Sequence, residues 1–237
     1  MKSILLKCSG PLQSWGTDSS FETRKSDPHP SKSAMIGLIS ASLGLTRDDQ
    51  TRISELNNLD FAVRIDQPGR LLRDYHTAHK YKPNGDLERT YVTNRYYIED
   101  AVFVVGLGSD NAQLIDEVWE ALHKPYFQQF LGRKSLPPTA DFLIGLFNTG
   151  VVDAMKSLPW QAANWYINKN QKGSLVLYAD ADLVDSKMIT RRRDSVASFS
   201  QKNRQFKFRS EARIQIDLSN DSSDEIQHDA FGALGDG

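Results

Sequence analysis

The chain has one cysteine, Cys8, in 237 residues. That excludes an internal disulfide framework and a metal site built from cysteines. No apolar run approaches membrane-spanning length. The apolar start at Ile4-Leu5-Leu6 is cut by Lys7 and reads as a strand, not as a secretion signal. A GxxxxGK[S/T] sequence is also missing, so a phosphate-cradling loop with its lysine is not indicated. Neither charge is in excess: 29 Lys and Arg stand against 30 Asp and Glu, which excludes a disordered polyelectrolyte and a histone-like basic chain. The length suits one large domain or two small ones with a real core. These absences predict a soluble, cytosolic protein.

The balanced total hides segregated charge. From Arg191 to Arg209 there are seven bases (Arg191, Arg192, Arg193, Lys202, Arg204, Lys207, Arg209) and one acid, Asp194. From Ser210 to Gly237 there are seven acids and one base, Arg213. The basic stretch is interleaved with Phe199, Phe206 and Phe208. It fits a nucleic-acid backbone track, or a solvated strand face whose phenylalanines point inward.

Ser3 to Cys8 reads as a buried strand, followed by a polar Gly/Pro/Ser-rich loop to Ser31. Ser33 is a good N-cap for a helix carrying Met35, Ile36, Ile39 and Leu43 on one face, closed by Gly44. Phe61 to Ile65 alternates as a strand, with Phe61, Val63 and Ile65 inward. Residues 66–100 hold five of the eight tyrosines and are too polar for a core. Pro83-Asn84-Gly85-Asp86 marks a turn at their middle, predicting a long projecting hairpin. Ala101 to Leu107 is a further strand. Ala112 to His123 is an amphipathic helix stopped by Pro125, and Phe142 to Phe147 is another strand. The order is strand, helix, strand, strand, helix, strand: the α+β pattern of ferredoxin-like, RRM-like domains. The predicted organisation is a ferredoxin-like domain over 1–149 with the hairpin 66–100 inserted. A small β-rich C-terminal region over 150–216 and an acidic tail over 217–237 follow.

Four motifs have plain alternatives. Gly106-Leu107-Gly108 lies between a strand and a helix, but Asn111 stands where a dinucleotide fingerprint needs its third glycine, so a turn pair is the better reading. His76 and His79 have metal-compatible spacing without a third ligand and read as solvated hairpin histidines. Tyr75, His76 and Lys80 have the chemistry for metal-independent RNA cleavage, and equally for stacking on bases and pairing with phosphates. The Gly10–Ser33 loop, with Trp15, Arg24, Lys25 and Lys32, leads into a helix N-terminus, which suits a phosphate grip. A structural turn with Trp15 in the core fits it equally.

Gly10-Pro11-Leu12-Gln13-Ser14-Trp15-Gly16, Phe21-Glu22-Thr23-Arg24 and the run Pro30 to Leu38 resemble the amino-terminal signature of the CasD family. That family is the Cas-five-type subunit of the type I-E CRISPR Cascade complex. Leu72 to Thr77, Tyr96 to Phe103, Leu131 to Pro138 and His228 to Phe231 are similar to the family in the same order, so the resemblance spans the chain. It implies a ferredoxin-like domain with a thumb hairpin, and Tyr81 to Tyr91 would form that thumb. It implies a non-catalytic subunit that holds the 5′ handle of CRISPR RNA (crRNA) and caps the Cascade backbone. The implied partners are the crRNA, the repeated backbone subunit, the large subunit and the crRNA-processing endonuclease, with target DNA nearby. No cofactor, metal or membrane is implied. A related type I-C branch cleaves precursor RNA, so a metal-independent endoribonuclease is the alternative.

On this reading Ser31, Lys32 and Ser33 meet handle phosphates at the helix N-terminus, and Arg24 and Arg73 pair with phosphates. Trp15, Tyr75 and Tyr96 stack or pack, and Gln13 and Ser14 read base edges. His76, Arg95, Arg133 and Lys134 complete the expected RNA-binding set.

Overall fold

The computed structural model describes residues 1–17, 22–170 and 173–217. Its elements are β1 (Lys2–Ser9), β2 (Leu12–Gln13), β3 (Thr23–Arg24), α1 (Lys32–Ser42), α2 (Gln50–Asn57), β4 (Asp60–Gln67), β5 (Arg70–Tyr81) and β6 (Leu87–Glu99). There follow β7 (Val102–Ser109), α3 (Ala112–His123), β8 (Leu143–Phe147), α4 (Val151–Ser157), α5 (Asn164–Asn170), β9 (Ser174–Asp180), β10 (Ile189–Ser198) and β11 (Gln205–Asp217). This is a mixed α+β fold. One sheet runs β10-β11-β9-β4-β7-β1-β8, with every neighbouring pair antiparallel.

Strand alternation sends successive side chains to opposite faces. Ile4, Leu6, Cys8, Phe61, Val63, Phe103 and Val105 point to one face, where they meet Met35, Ile36 and Ile39 of α1 and Leu114, Ile115 and Val118 of α3. Leu5, Ala62 and Val104 point to the other face and meet Val151, Ala154 and Met155 of α4. Burial pushes the Cys8 thiol up, so it is an inert core group. No helix among the described residues is long and apolar enough to cross a membrane.

Several expectations are corrected here. After Gly150, β9 pairs with β4, so β9, β10 and β11 extend the same sheet. The same region also carries the helices α4 and α5. Because α4 covers the second face, β4 is buried on both sides, and Arg64 is as buried as Val63. Arg64 is satisfied there by Asp66 (2.8 and 2.7 Å) and by the carbonyls of Leu158 and Pro159 (2.7 and 2.8 Å) beyond the end of α4. Gly106 and Gly108 are not a turn pair. They lie within β7, where a Cβ would collide with Val151. The N-cap of α1 is Ser31, not Ser33; its hydroxyl accepts from the Ala34 amide at 3.3 Å. Sequence pattern also gave no sign of α2.

The hairpin forms as expected, with β5 and β6 paired from Arg70↔Glu99 to Tyr81↔Leu87. Gly85 alone in its turn takes a positive φ, +89°, so Asn84 does not share the left-handed geometry expected for Asn-Gly. Residues 218–237, most of the acidic tail, lie outside the described residues.

Candidate nucleic-acid interface

The interface is assembled from stretches far apart in sequence. β2 adds to β6 through Leu12↔Glu99 and Gln13↔Ile98. The Gln13 amide donates to the carbonyls of Cys8 (3.0 Å) and Ala101 (2.8 Å) and accepts from Trp15 Nε1 at 3.0 Å. Gln13 is fully buried and Trp15 is 1% exposed. Neither side chain presents a free polar edge or ring, so the expectation that they read or stack bases is corrected: both hold the loop together. The Ser14 amide donates to Leu131 O at 3.1 Å. Gly132 sits against the same backbone at φ +89°, where a Cβ would overlap the Ser14 carbonyl. This docking carries Arg133 over the ring of Tyr97, 4.7 Å from its centroid.

The start of α1 differs from the expected phosphate grip. The Lys32 amide donates to Asp194 Oδ2 at 2.9 Å, and Lys32 Nζ pairs with Asp180 at 3.0 Å. Lys32 is 7% exposed. A helix N-terminus attracts an anion; here β10 supplies that anion from within the chain. Lys32 therefore anchors α1 and does not reach solvent. Ser31 is spent on capping, while Ser33 remains partly exposed beside it.

Between α1, the 127–133 segment and the β10–β11 turn runs a cleft of about 540 Å³. Its floor is the small-residue side of α1, with Ser33, Ala34, Gly37 and Ala41. Arg24, Lys25, Arg47, Arg133 and Arg204 line it, and no acid does among the described residues. Phe127, 54% exposed, and Phe199 add apolar wall. β3 lies parallel to β6 with Arg24 opposite Arg95. Burial foremost, then the charges of Arg95 and Arg24, push the Arg133 guanidinium below its ordinary range, while Tyr97 and Asp74 act against the shift. An arginine so placed stays cationic. Arg133 Nε is buried and has no hydrogen-bond partner. The site thus gathers the positive charge of Arg24, Arg95 and Arg133.

The hairpin divides the remaining candidates. Register puts Arg73, Tyr75, Asn94 and Tyr96 on one face and Asp74, His76, Thr93 and Arg95 on the other. Arg73 Nε donates to Asn94 Oδ1 at 2.9 Å, and Tyr75 is 60% exposed beside it. Tyr75 and His76 therefore face opposite ways. Lys134 is exposed next to Arg133 but does not line the cleft. No group of three or more metal-ligating side chains occurs among the described residues.

The basic segment is also split. Arg209 binds Asp194 (2.8 and 3.1 Å), Asp180 (3.0 Å) and Glu211, and Arg192 binds Asp27 (3.1 Å) and Glu211 (3.3 Å). These two arginines belong to a buried lattice, not to a surface track. His29 sits in the same lattice, stacked on Tyr178 at 4.3 Å; burial first, then Arg192, lowers its pKa to about 3. Phe199 and Phe206 pack on the core, as the inward reading had it, whereas Phe208 is 56% exposed.

Sequence pattern missed Phe127, Arg47 and Gly132 as parts of this site. The stretch 124–136 is mostly loop and offers no periodicity; its only signals were Gly132 and the arginine after it.

Fold and site together define a mixed α+β protein with a projecting hairpin and an open cleft walled by cations. The chain belongs to the CRISPR-associated Cas5 family: the family model described as CRISPR-associated protein (Cas_Cas5) matches residues 3–210. It is 34% identical over 156 residues, 60% of this chain and 70% of the relative, to the CRISPR system Cascade subunit CasD of Escherichia coli (strain K12). It superposes on a chain of a CRISPR RNA-guided surveillance complex with a TM-score of 0.74 at 28% identity, covering 91% of this chain and 90% of that one. A crystal structure of a Cas protein matches with a TM-score of 0.69 at 29% identity, over 91% of this chain and 95% of that one.

Proposed function

We propose that this protein is a non-catalytic Cascade subunit that holds the 5′ handle of crRNA in the cationic cleft and caps the complex's backbone. The observation that carries this reading is the convergence of Arg24, Arg95 and Arg133 at the base of the hairpin, with Arg133 half-buried over the Tyr97 ring and unpartnered at Nε. A phosphodiester placed there relieves the mutual repulsion of the three guanidiniums and supplies the missing acceptor. Single-stranded RNA suits the cleft because its bases can be splayed from the backbone onto apolar or aromatic surface. The floor of Ala34, Gly37 and Ala41 and the ring of Phe127 offer such surface.

We read β4-β7-β1-β8 with α1 and α3 as a ferredoxin-like core, because the four strands follow the βαββαβ order and are antiparallel throughout. β5 and β6 are its inserted thumb. The outer thumb face, with Arg73, Tyr75 and Tyr96, then lies over RNA or against the adjoining backbone subunit. The other partners on this reading are the large subunit and the crRNA-processing endonuclease. Cleavage by this chain is disfavoured because Tyr75 and His76 face opposite sides of one strand, so they do not converge on one scissile bond.

Co-expression with the remaining Cascade subunits, followed by sequencing of the co-purified RNA, tests the reading. The expected result is crRNA with a uniform 5′ handle that is lost from complexes carrying Arg24→Ala with Arg133→Ala. Specific cutting of repeat RNA by the purified chain in chelator, abolished by His76→Ala, would replace it with the nuclease reading.

A further inference from the structure

The β10–β11 hairpin treats its basic residues in two opposite ways. Arg192 and Arg209 point inward and meet Asp27, Asp180, Asp194 and Glu211. Arg191, Arg193 and Lys207 point outward and are exposed. None of these three has an acidic partner among the described residues. Phe208 lies with them, 56% exposed, and Arg191 is held 5.1 Å from its ring centroid. Arg193 is braced from below by the carbonyl of Phe206 at 3.4 Å. Arg204 stands 5.0 Å over the Phe206 ring and lines the cleft, so the outer face begins where the cleft ends.

β10 is the edge strand of the sheet. One or two charges are enough to discourage edge-to-edge pairing. That need explains neither a large exposed ring nor guanidiniums positioned over aromatic faces. Stacking on a ring fixes a guanidinium's plane while leaving its N–H groups free for phosphate oxygens. In an extended strand, Arg191 and Arg193 share one side and recur at about 7 Å, which gives a linear row of cations and not a point site.

We propose that this outer face is a second nucleic-acid site, separate from the handle cleft. It binds the sugar–phosphate backbone of nucleic acid that continues past the cleft, without reading sequence. The ligand chemistry is a run of phosphodiesters; its source is either duplex DNA held by the complex or the RNA beyond its handle.

The test uses the full-length chain and its R191E/R193E/K207E variant, with R191Q/R193Q/K207Q as a gentler second variant and thermal unfolding to confirm the fold. Three probes are titrated over a salt series: handle-length repeat RNA, the same RNA extended by a spacer, and a DNA duplex of unrelated sequence. Handle-length RNA binding stays within about twofold of the parent. Binding of the extended RNA or of the duplex falls at least about tenfold, and the probe that falls identifies the source. For a duplex, the slope of log affinity against log salt becomes shallower by about 2.7, since each phosphate contact contributes about 0.9. Unchanged binding of both long probes overturns the second site and leaves the handle reading standing. Equal loss of the handle-length RNA also overturns it, because the face is then part of the cleft.

Discussion

The backbone amide of Lys32 donates to the carboxylate of Asp194, 162 residues away, at 2.9 Å. The first turn of α1 is thereby filled by the chain's own anion, and Lys32 Nζ is turned to Asp180. A site that invites phosphate from sequence is closed from within. The same Asp194 binds Arg209 through both oxygens and is fully buried.

Lys32→Met should therefore act on stability and not on RNA affinity. Urea unfolding should show a loss, while the salt dependence of handle-RNA binding stays that of the parent. Asp194→Ala should cost about 3–5 kcal/mol, the range for stripping one partner from a buried ionic group. A Lys32→Met variant with normal stability and a shallower salt slope would restore the phosphate grip.

Gly132 links the two loops that place Arg133. A Cβ there meets the Ser14 carbonyl, and φ is +89°. Gly132→Ala should destabilise the protein by about 2 kcal/mol or more through backbone strain and the displaced loop. It should also weaken RNA binding, because Arg133 moves with the loop. Denaturant titration and RNA binding read the two effects, and an unaltered midpoint would contradict the docking.

His29 makes stability depend on acid. Its pKa is lowered from 6.5 to about 3, chiefly by burial and then by Arg192, against the weaker upward pull of the Pro30 carbonyl and Asp194; Glu211 lies 3.7 Å from Nε2. Between these values the unfolded chain binds a proton that the fold refuses. The contribution is whole above pH 6.5 and is lost as pH falls toward 3. By pH 5.0 this one group should remove about 2 kcal/mol. His29→Phe keeps a ring against Tyr178 and should flatten that part of the profile. Parallel acid slopes for the two proteins would reject the assignment.

Local signals were legible wherever one stretch of chain decides its own structure. The spacing of Leu114, Ile115, Val118 and Leu122 with Pro125 gave α3, and Gly44 (φ +73°) closes α1 as its position suggested. Pro83-Asn84-Gly85 placed the thumb turn. Partners far away in sequence were illegible. Nothing near Lys32 announces Asp180 or Asp194, and nothing near Arg192 announces Asp27. The alternation at Phe61 to Ile65 was read as one-sided because α4, which buries Arg64, lies about 90 residues downstream. Gln13 and Trp15 were misread for one shared reason: polar and aromatic residues clustered in a loop suit an internal hydrogen-bond net as well as a ligand. Trp15 and Gln13 joined the net, whereas Arg24 and Arg133 were left facing the cleft.

The central claim is that those two arginines grip phosphate. Binding of handle RNA to R24A/R133A, measured across a salt series on a variant shown to be folded, tests it most directly. The account predicts at least about a tenfold loss of affinity at moderate salt. It also predicts a slope shallower by about 1.4, from two contacts at about 0.7 each on single-stranded nucleic acid. Parental affinity with a parental slope would contradict it.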